Sequence, residues 1–356
     1  MTTLQRRPAL RWMLPVLVAM VFALAGSAVG VISATARGGL PHRTAAQLLV
    51  DVQTARLSGL SGTIVQNADL GLPDLPGIGG SGSSDMKSMV AGSHTLRLWY
   101  ADPNHMRLAL LGSLGESDLV RNGTDVWSWS SKELAATHRT VPLSHGPRSL
   151  ASVSPVTPQE AADRALEAIR PSTRVTTDGT AVVAGRAAYE LLLRPRDARS
   201  LVKSVRIAVD GKTRIPTRVQ VFARSSTRPA FEVGFTSFDP SDPPSSVFRF
   251  NPPPGTKVTN SAGGRASHPG AGNSEAGPVK TVGEGWTTVL VASMPESGAS
   301  GQSMSGLLER LPRVSGSWGS GHLLRGKLFS AVVTDDGRVA AGAVAPDALY
   351  SALASR

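Results

Sequence analysis

Short runs in which apolar and polar residues alternate fill the middle of the chain, from His94 to Asp239. Successive side chains of a β-strand point to opposite faces of a sheet, so an alternation of period two is typical of strands and not of helices. Residues that favour turns separate the runs, and three dipeptides of the hairpin type lie among them: Asn122-Gly123, Asp178-Gly179 and Asp210-Gly211. This region therefore predicts one long antiparallel sheet whose consecutive strands are neighbours.

Ten strands are predicted in this sheet, and a short strand over Gly62–Gln66 precedes them. The ten cover Thr95–Tyr100, Met106–Leu111, Ser117–Arg121, Asp125–Ser130, Thr137–Val141, Thr180–Val183, Ala187–Arg194, Ser204–Val209, Pro216–Ala223 and Ala230–Phe238. The segment Asn67–Ser93 is rich in Gly, Pro and Ser and predicts a flexible loop. Its Gly77–Gly82 run has the glycine spacing of a dinucleotide-binding turn, but Pro73 and Pro76 disrupt the strand that such a turn requires.

Two amphipathic helices are predicted to accompany the sheet. His42–Leu57 carries apolar residues at helical spacing with Thr44 as a candidate N-cap, and Thr157–Arg170 has the same spacing with a proline at an early helical position. Two helices of this length cover only part of a sheet of ten strands. Either the sheet curls on itself or an apolar concavity remains open, and a fully packed core is the alternative to that concavity.

The strands with the clearest alternation predict the lining of such a concavity. Residues two apart share a face, and neighbouring antiparallel strands bring these faces together into one surface. We expect a concave, apolar ligand-binding surface made by Val205, Ile207, Val219, Val221, Phe231, Val233 and Phe235, with Leu96, Leu98, Met106, Leu108 and Leu110 from the earlier strands. Trp127 and Trp129 also share a face by the same period.

The N-terminal segment predicts the compartment. Trp12–Ala36 is an uncharged run of 25 residues, long enough as a helix to cross a hydrocarbon core about 30 Å thick. Arg6, Arg7 and Arg11 precede it, so by the positive-inside rule the tip is cytoplasmic and the body lies outside the membrane. A signal peptide cleaved after Ala36 is the main alternative, and a twin-arginine signal is a weaker one.

Composition divides the chain into four parts. Residues 1–36 form the basic tip and anchor, 42–250 the sheet domain, 251–278 a linker rich in Pro, Gly and Ser, and 279–356 a small α+β domain. The elements predicted for this last domain are a strand over Trp286–Ser293, a helix over Ser305–Leu311, a hairpin of Leu323–Thr334 and Arg338–Val344 around Asp335-Asp336-Gly337, and a helix over Pro346–Leu353.

Catalytic and metal-binding patterns are not recognisable in the sequence. The chain has no cysteine, which excludes disulfides, thiolate metal sites and a Cys nucleophile. The histidines lack the spacing of metal ligands and are interpreted as surface residues: His94, His105, His138, His145 and His322. Asp335 and Asp336 fit a hairpin turn better than a metal site, and Asn122-Gly123-Thr124 fits a turn better than a glycosylation sequon. No catalytic residue, metal or cofactor is expected.

The basic balance of the chain has a limited meaning. The net charge of +11 favours anionic partners, but the arginines of the N-terminal tip account for part of it. Nucleic acid is therefore not expected as a partner. A cluster of Arg194, Arg196, Arg199 and Lys203 is either a solvated loop or a contact for lipid phosphates or an acidic partner.

The strand block His94–Leu111, the Asn122-Gly123 turn before Val126-Trp127 and the Asp210-Gly211 turn before Ile215-Pro216 resemble the LolA/RseB-like lipoprotein-carrier superfamily. More narrowly, they resemble the membrane-anchored LolA-like proteins of actinobacteria. The resemblance covers about Ala45–Pro254. It implies an α+β fold in which a curved antiparallel half-barrel wraps around helices and offers an apolar cavity to acyl chains.

The resulting hypothesis is a non-enzymatic, membrane-anchored protein that binds the acyl chains of lipids or lipoproteins outside the cytoplasm. Alkyl chains would leave water for the apolar cavity while head groups remain at a basic rim. A tethered protein cannot shuttle cargo across an envelope, so local lipid handling or sensing is expected. The alternative is an RseB-like regulatory module that holds a membrane-bound partner, such as an anti-sigma factor.

Overall fold

The computed structural model describes residues 40–55, 57–73, 83–85, 88–89, 91–143, 171–261, 279–293 and 308–355. Two sheets dominate these residues, and few helices accompany them. No helix within the described ranges is long and apolar enough to span a membrane. The predicted anchor Trp12–Ala36, the predicted helix Thr157–Arg170, the Gly77–Gly82 run and His145 lie outside the described residues.

The first sheet has twelve strands in the order β12-β6-β5-β4-β3-β2-β1-β11-β10-β9-β8-β7. All ten predicted strands are confirmed, and β1 and β12 complete the sheet. The strands are β1 (Leu60–Ala68), β2 (Gly92–Asp102), β3 (His105–Gly112), β4 (Gly115–Asn122), β5 (Asp125–Ser130), β6 (Ala135–Thr140), β7 (Thr173–Val183), β8 (Arg186–Pro195), β9 (Val202–Asp210), β10 (Pro216–Ala223), β11 (Pro229–Asp239) and β12 (Lys257–Ser261).

One predicted hairpin turn is wrong. Asp178-Gly179 lies inside β7, where the pairing with β8 shifts register between Thr177 and Thr180, so the dipeptide forms a bulge. The turn between β7 and β8 is made by Ala184 and Gly185, which have φ angles of +51° and +74°. Positive φ at both central residues is the requirement of the tight turns that suit the twist of a hairpin.

The predicted linker begins with ordered structure. β12 lies within it and pairs in parallel with β6, the single parallel pairing among the strands described. All five β12 residues are exposed, so this strand forms one edge of the sheet and contributes little to the core. The rest of the linker, from residue 262 to 278, lies outside the described ranges.

The far end of the sheet curls around a helix. Four strand spacings separate β7 from β11, which would amount to about 19 Å in a flat sheet, yet pairs of Cα atoms from the two strands lie within 8 Å. Helix α1 (Ala45–Thr54) packs inside this curl, where Leu48 is fully buried against residues of β8–β11. The predicted cap is confirmed, since Thr44 and Gln47 exchange side-chain to backbone hydrogen bonds in a capping box.

The second sheet has six strands in the order β13-β14-β18-β17-β16-β15. Its strands are β13 (Lys280–Val282), β14 (Val289–Ser293), β15 (Arg313–Gly316), β16 (Gly319–Arg325), β17 (Ser330–Thr334) and β18 (Arg338–Gly342), and α2 (Pro346–Ala354) covers it. The predicted terminal helix and the hairpin at Asp335-Asp336-Gly337 are confirmed. The predicted strand Leu323–Thr334 is instead divided, because residues 326–329 leave the sheet.

These four residues dock the second sheet on the first. Leu328 is buried in the core formed by β8–β11 and α1. The backbone N–H of Lys327 donates to the Leu70 carbonyl at 2.6 Å, and its ammonium group pairs with Asp69 at 2.6 Å. A further contact joins the Trp286 indole N–H to the Thr173 hydroxyl at 2.8 Å. The loop between β16 and β17 therefore supplies part of the first sheet's core.

This docking predicts that Leu328→Ala destabilises the first sheet. Loss of a buried leucine leaves a cavity that costs about 2–5 kcal/mol of unfolding free energy. Leu290→Ala is the matched control, because Leu290 belongs to the same sheet but is 46% exposed. Chemical denaturation of the full chain measures both variants. Equal loss of unfolding free energy in the two variants would contradict the proposed contribution of Leu328.

The Asp210 side chain stabilises the turn after β9 through hydrogen bonds. Its carboxylate is almost fully buried and accepts hydrogen bonds from Arg186 at 2.8 and 3.0 Å and from the Thr213 backbone and hydroxyl groups. Burial alone raises the pKa of this carboxyl, but the Arg186 and Thr213 hydrogen bonds outweigh it and lower the pKa to about 2. The folded state therefore favours the ionised form.

A lowered pKa in the folded state predicts acid sensitivity. The stabilisation from Asp210 is fully present above the unfolded-state pKa near 4 and is lost as the pH falls towards 2, in total about 2 kcal/mol. Asp210→Asn should remove this part of the pH dependence of the unfolding free energy between pH 5 and 2. Asp242→Asn, at an exposed position, is the control. An unchanged acid profile in Asp210→Asn would refute this assignment.

Candidate functional site

The predicted apolar residues lie on one face of the twelve-stranded sheet, named here the apolar face. Across β9–β11 the registers align Val205 with Val221 and Phe231, and Ile207 with Val219 and Val233. Ile64 of β1 connects the two groups, because it pairs with Phe235 on one side and Leu96 on the other. The remaining pairs on this face are Leu96 with Leu110, Leu98 with Leu108, and Tyr100 with Met106.

The β9–β11 part of this face, named here the closed half, is packed core. Val205, Val221 and Phe231 are buried in the same cluster as Leu48 of α1, with Ile207, Val219 and Val233 against it. Tyr189, Leu191 and Leu193 of β8 extend the cluster. In this half, therefore, α1 already occupies the space over the strands.

The β2–β3 part, named here the open half, does not belong to the cluster that contains α1. Leu96 and Leu110 are fully buried, whereas Leu98, Met106 and Leu108 remain half-buried. Leu119 of β4 pairs with Leu108 and is half-buried too. The sequence analysis did not include Leu119, although its alternation with Val120 marked it as a strand residue. These half-buried side chains form an apolar surface that solvent still reaches.

Buried polar groups border the open half. Gln66 pairs in the sheet with His94, and the two side chains are 1% and 2% exposed. The imidazole ring of His94 contacts the Ser88 and Ala91 carbonyl groups at 3.0 and 3.2 Å, so the interpretation of His94 as a surface residue is wrong. The Gln66 side-chain oxygen finds no hydrogen-bond partner among the described residues. A buried acceptor without a described partner therefore lies beside the apolar surface.

The opposite face of the same strands is polar. Arg107 donates to the buried Asp118 carboxylate at 2.7 Å and lies 3.9 Å from Glu116. Burial raises the pKa of Asp118 in spite of Arg107, and burial together with Asp118 raises the pKa of Glu116. Farther along, Glu190 lies between Arg218 at 2.9 Å and Arg206 at 3.7 Å. These charges are paired across strands.

Aromatic residues cover part of this opposite face. Trp127 and Trp129 share it, as predicted. Both pack on Phe250, with ring centroids 5.4 and 6.2 Å away, and Trp127 stacks on His138 at 4.3 Å. The two tryptophans therefore belong to the packing of the opposite face and not to the apolar face.

One member of the basic cluster, Arg199, has a carboxylate partner. Asp197 pairs with Arg199 at 2.6 Å, and hydrogen bonds from this arginine lower the pKa of Asp197 to about 2. Arg194 lies directly opposite Arg174 on β7, and both side chains are exposed.

In the second sheet, Arg313 pairs with Asp335 and Arg338 with Asp336. The two aspartates of the hairpin thus have arginine partners.

Comparisons with known proteins give similarities to solved structures at low sequence identity. No family model and no curated protein matches the chain. A chain of the Pseudomonas aeruginosa MucA/MucB complex is similar at 15% identity and a TM-score of 0.44, over 87% of this chain and 96% of that one. The structure of MucB alone is similar at 13% identity and a TM-score of 0.39, over 86% of this chain and 94% of that one. A LolA superfamily protein from Nitrosomonas europaea is similar at 12% identity and a TM-score of 0.21, over 59% of this chain and 99% of that one.

Proposed function

We propose that the open half of the apolar face binds an acyl chain and that the protein acts as a binding protein without catalysis. The single observation that supports this is the contrast between the two halves of one continuous face. α1 packs in one cluster with the closed half, whose Ile207, Val219 and Val233 are themselves half-buried. Leu98, Met106 and Leu108 of the open half are equally half-buried but do not belong to the α1 cluster. In a half-barrel, an alkyl chain would take the place on β2 and β3 that α1 takes on β9–β11.

The energetics of this binding follow from partition. Each methylene that leaves water for an apolar surface contributes about 0.8 kcal/mol. Half-buried leucine and methionine side chains lose their remaining contact with water at the same time. Methionine adapts its shape to different chains because it is unbranched and flexible. Met106 therefore suits a site that accepts acyl chains of different length.

A head group would remain at the border of the apolar surface. No covalent step and no cofactor is part of the proposal. The ligand is a lipid or the acyl chain of a lipoprotein, and the proposed role is handling or sensing of lipid at the envelope.

A matched pair of leucines on β3 tests the site. Leu108 lies on the apolar face and Leu111 on the opposite face, and both are half-buried. Leu108→Gln should lower the amount of lipid that co-purifies with the full chain, because an amide on the apolar surface is desolvated by the alkyl chain. Leu111→Gln should retain it. Native mass spectrometry after purification measures bound lipid.

Thermal unfolding of the same samples separates binding from folding. The proposal expects a cooperative transition in both variants, with lipid lost only in Leu108→Gln. Lipid retained by Leu108→Gln, or lost equally from Leu111→Gln, would contradict an acyl site on the open half. Loss of the transition itself would assign Leu108 to packed core.

We also propose that the chain is anchored in the cell membrane by Trp12–Ala36, with its body outside the cytoplasm; cleavage after Ala36 would instead release it as a secreted protein. A reporter fused after Arg356 should be active only outside the cytoplasm. Carbonate washing should leave the protein in the membrane fraction. Release into the wash would favour cleavage, and reporter activity in the cytoplasm would contradict the topology.

A regulatory interaction with a membrane-bound protein is the second candidate. The observation that favours it is the pair of free edges on the twelve-stranded sheet, β7 and β12, each hydrogen-bonded to one neighbouring strand among the described residues. An extended segment of a partner can add to such an edge. Purified protein that lacks lipid, together with specific capture of a partner segment along an edge, would favour this function over acyl-chain binding.

A further inference from the structure

A small cleft lies on the polar face of the sheet, behind the proposed acyl site. It has a volume of about 170 Å³ and is lined by Ser61, Gly62, Thr63, Arg97, Trp99 and Ser237. Ligand pockets for drug-sized molecules begin at about 300 Å³, so this cleft has room for one ring and not for a large ligand.

An irregularity in strand pairing accompanies the cleft. The register between β1 and β11 shifts between Thr63 and Ile64, and the Thr63 backbone N–H donates to the Ser237 hydroxyl at 3.0 Å. Ser61, Thr63 and Ser237 therefore bring hydroxyl groups to the cleft, and bulges of this kind often occur next to binding sites.

Trp99 is a fixed wall of the cleft. The Arg107 guanidinium lies 5.6 Å from the centre of its ring, within the range of a cation–π contact. Arg107 is held in turn by the buried carboxylate of Asp118 at 2.7 Å. Rigid aromatic side chains bind the apolar side of a ring without losing much conformational freedom.

Arg97 gives the cleft its charge. Its side chain is exposed, and it makes no ion pair within 4.0 Å with any carboxylate in the part of the chain that the structure describes. Glu116 is a nearby carboxylate, but its ion pair is with Arg107. Guanidinium groups recognise carboxylates and phosphates through paired hydrogen bonds. An anionic ligand group is therefore the natural partner for Arg97.

From these four features we propose that the cleft binds a single sugar ring that carries an anionic group, either a carboxylate or a phosphate. The apolar side of the ring lies against Trp99, the ring hydroxyl groups exchange hydrogen bonds with Ser61 and Thr63, and the anionic group pairs with Arg97. The site is independent of the acyl-chain proposal, since the two occupy opposite faces of β1 and β2.

The test titrates the full chain with glucuronate, glucose 6-phosphate, glucose and inorganic phosphate, with binding followed by ligand-detected NMR. At least one anionic sugar should bind about ten-fold more tightly than glucose, the increment of one charged hydrogen-bonded contact. Comparison of glucuronate with glucose 6-phosphate identifies the preferred anion. Inorganic phosphate should bind more weakly than the phosphorylated sugar, because it lacks a ring for Trp99.

Variants assign the binding to the cleft. Arg97→Gln should remove the preference for anionic sugars, and Trp99→Leu should weaken all sugars, whereas Trp99→Phe should restore part of the affinity. Arg139→Gln, at an exposed arginine on β6, is the control and should bind as the unaltered protein does. Glucose binding as tightly as both anionic sugars, phosphate binding as tightly as glucose 6-phosphate, or affinities unchanged in Arg97→Gln would overturn the proposal.

Discussion

The pairing of β1 between β2 and β11 holds the large sheet together. Each of its other strands, apart from β12, follows its neighbour in the chain, as β2 to β6 and as β7 to β11. β1 hydrogen-bonds to β2 along its whole length and to β11 from Ser61 to Ala68. Without this strand the two meanders would be separate sheets with free edges. Ile64 is the residue at which the apolar surfaces of the two meanders become continuous.

This one connection explains the asymmetry of the apolar face. The second meander curls far enough to bring β7 near β11, and it closes on α1 and on Leu328 of the second sheet. In the first meander Leu96 and Leu110 are buried, while Leu98 and Leu108 are half-buried and lie outside the cluster that contains α1. One sheet thus carries a packed core and a partly open surface side by side. A ligand site next to a rigid core is well placed, because the core fixes the geometry of the strands.

The sequence predicted local features well and long-range ones poorly. The alternation of Val205, Ile207 and Val209 gave the strand and its buried face, because a period of two is a property of a single strand. The prediction of a hairpin turn at Asp178-Gly179 was wrong because an Asp-Gly dipeptide occurs both in hairpin turns and in bulges. Only the pairing with β8 shows that it forms a bulge here. Which half of the apolar face α1 would cover was not predictable either.

Contacts between distant segments account for the remaining differences. β12 follows three prolines, from which a linker was predicted. Its backbone nevertheless pairs with β6, which lies more than a hundred residues earlier in the chain. Leu328 was predicted to lie within a continuous strand. In the structure it lies outside the second sheet and is buried in the core of the first. His94 was predicted to be a surface residue. The backbone carbonyl groups that contact its ring come from a loop without regular spacing, so the sequence gives no sign of this contact. Such pairings leave no periodic signal in the sequence.

The central claim is that a ligand's alkyl chain lies on the open half of the apolar face and not within the closed half. Methyl-detected NMR of the full chain with a fatty acid that carries a nitroxide on its chain measures this directly. The account predicts that resonances of Leu98, Met106 and Leu108 broaden, while those of Leu191 and Val209 in the closed half keep their intensity. Broadening confined to exposed methyl groups such as those of Leu114, 96% exposed, or equal broadening in both halves would contradict it.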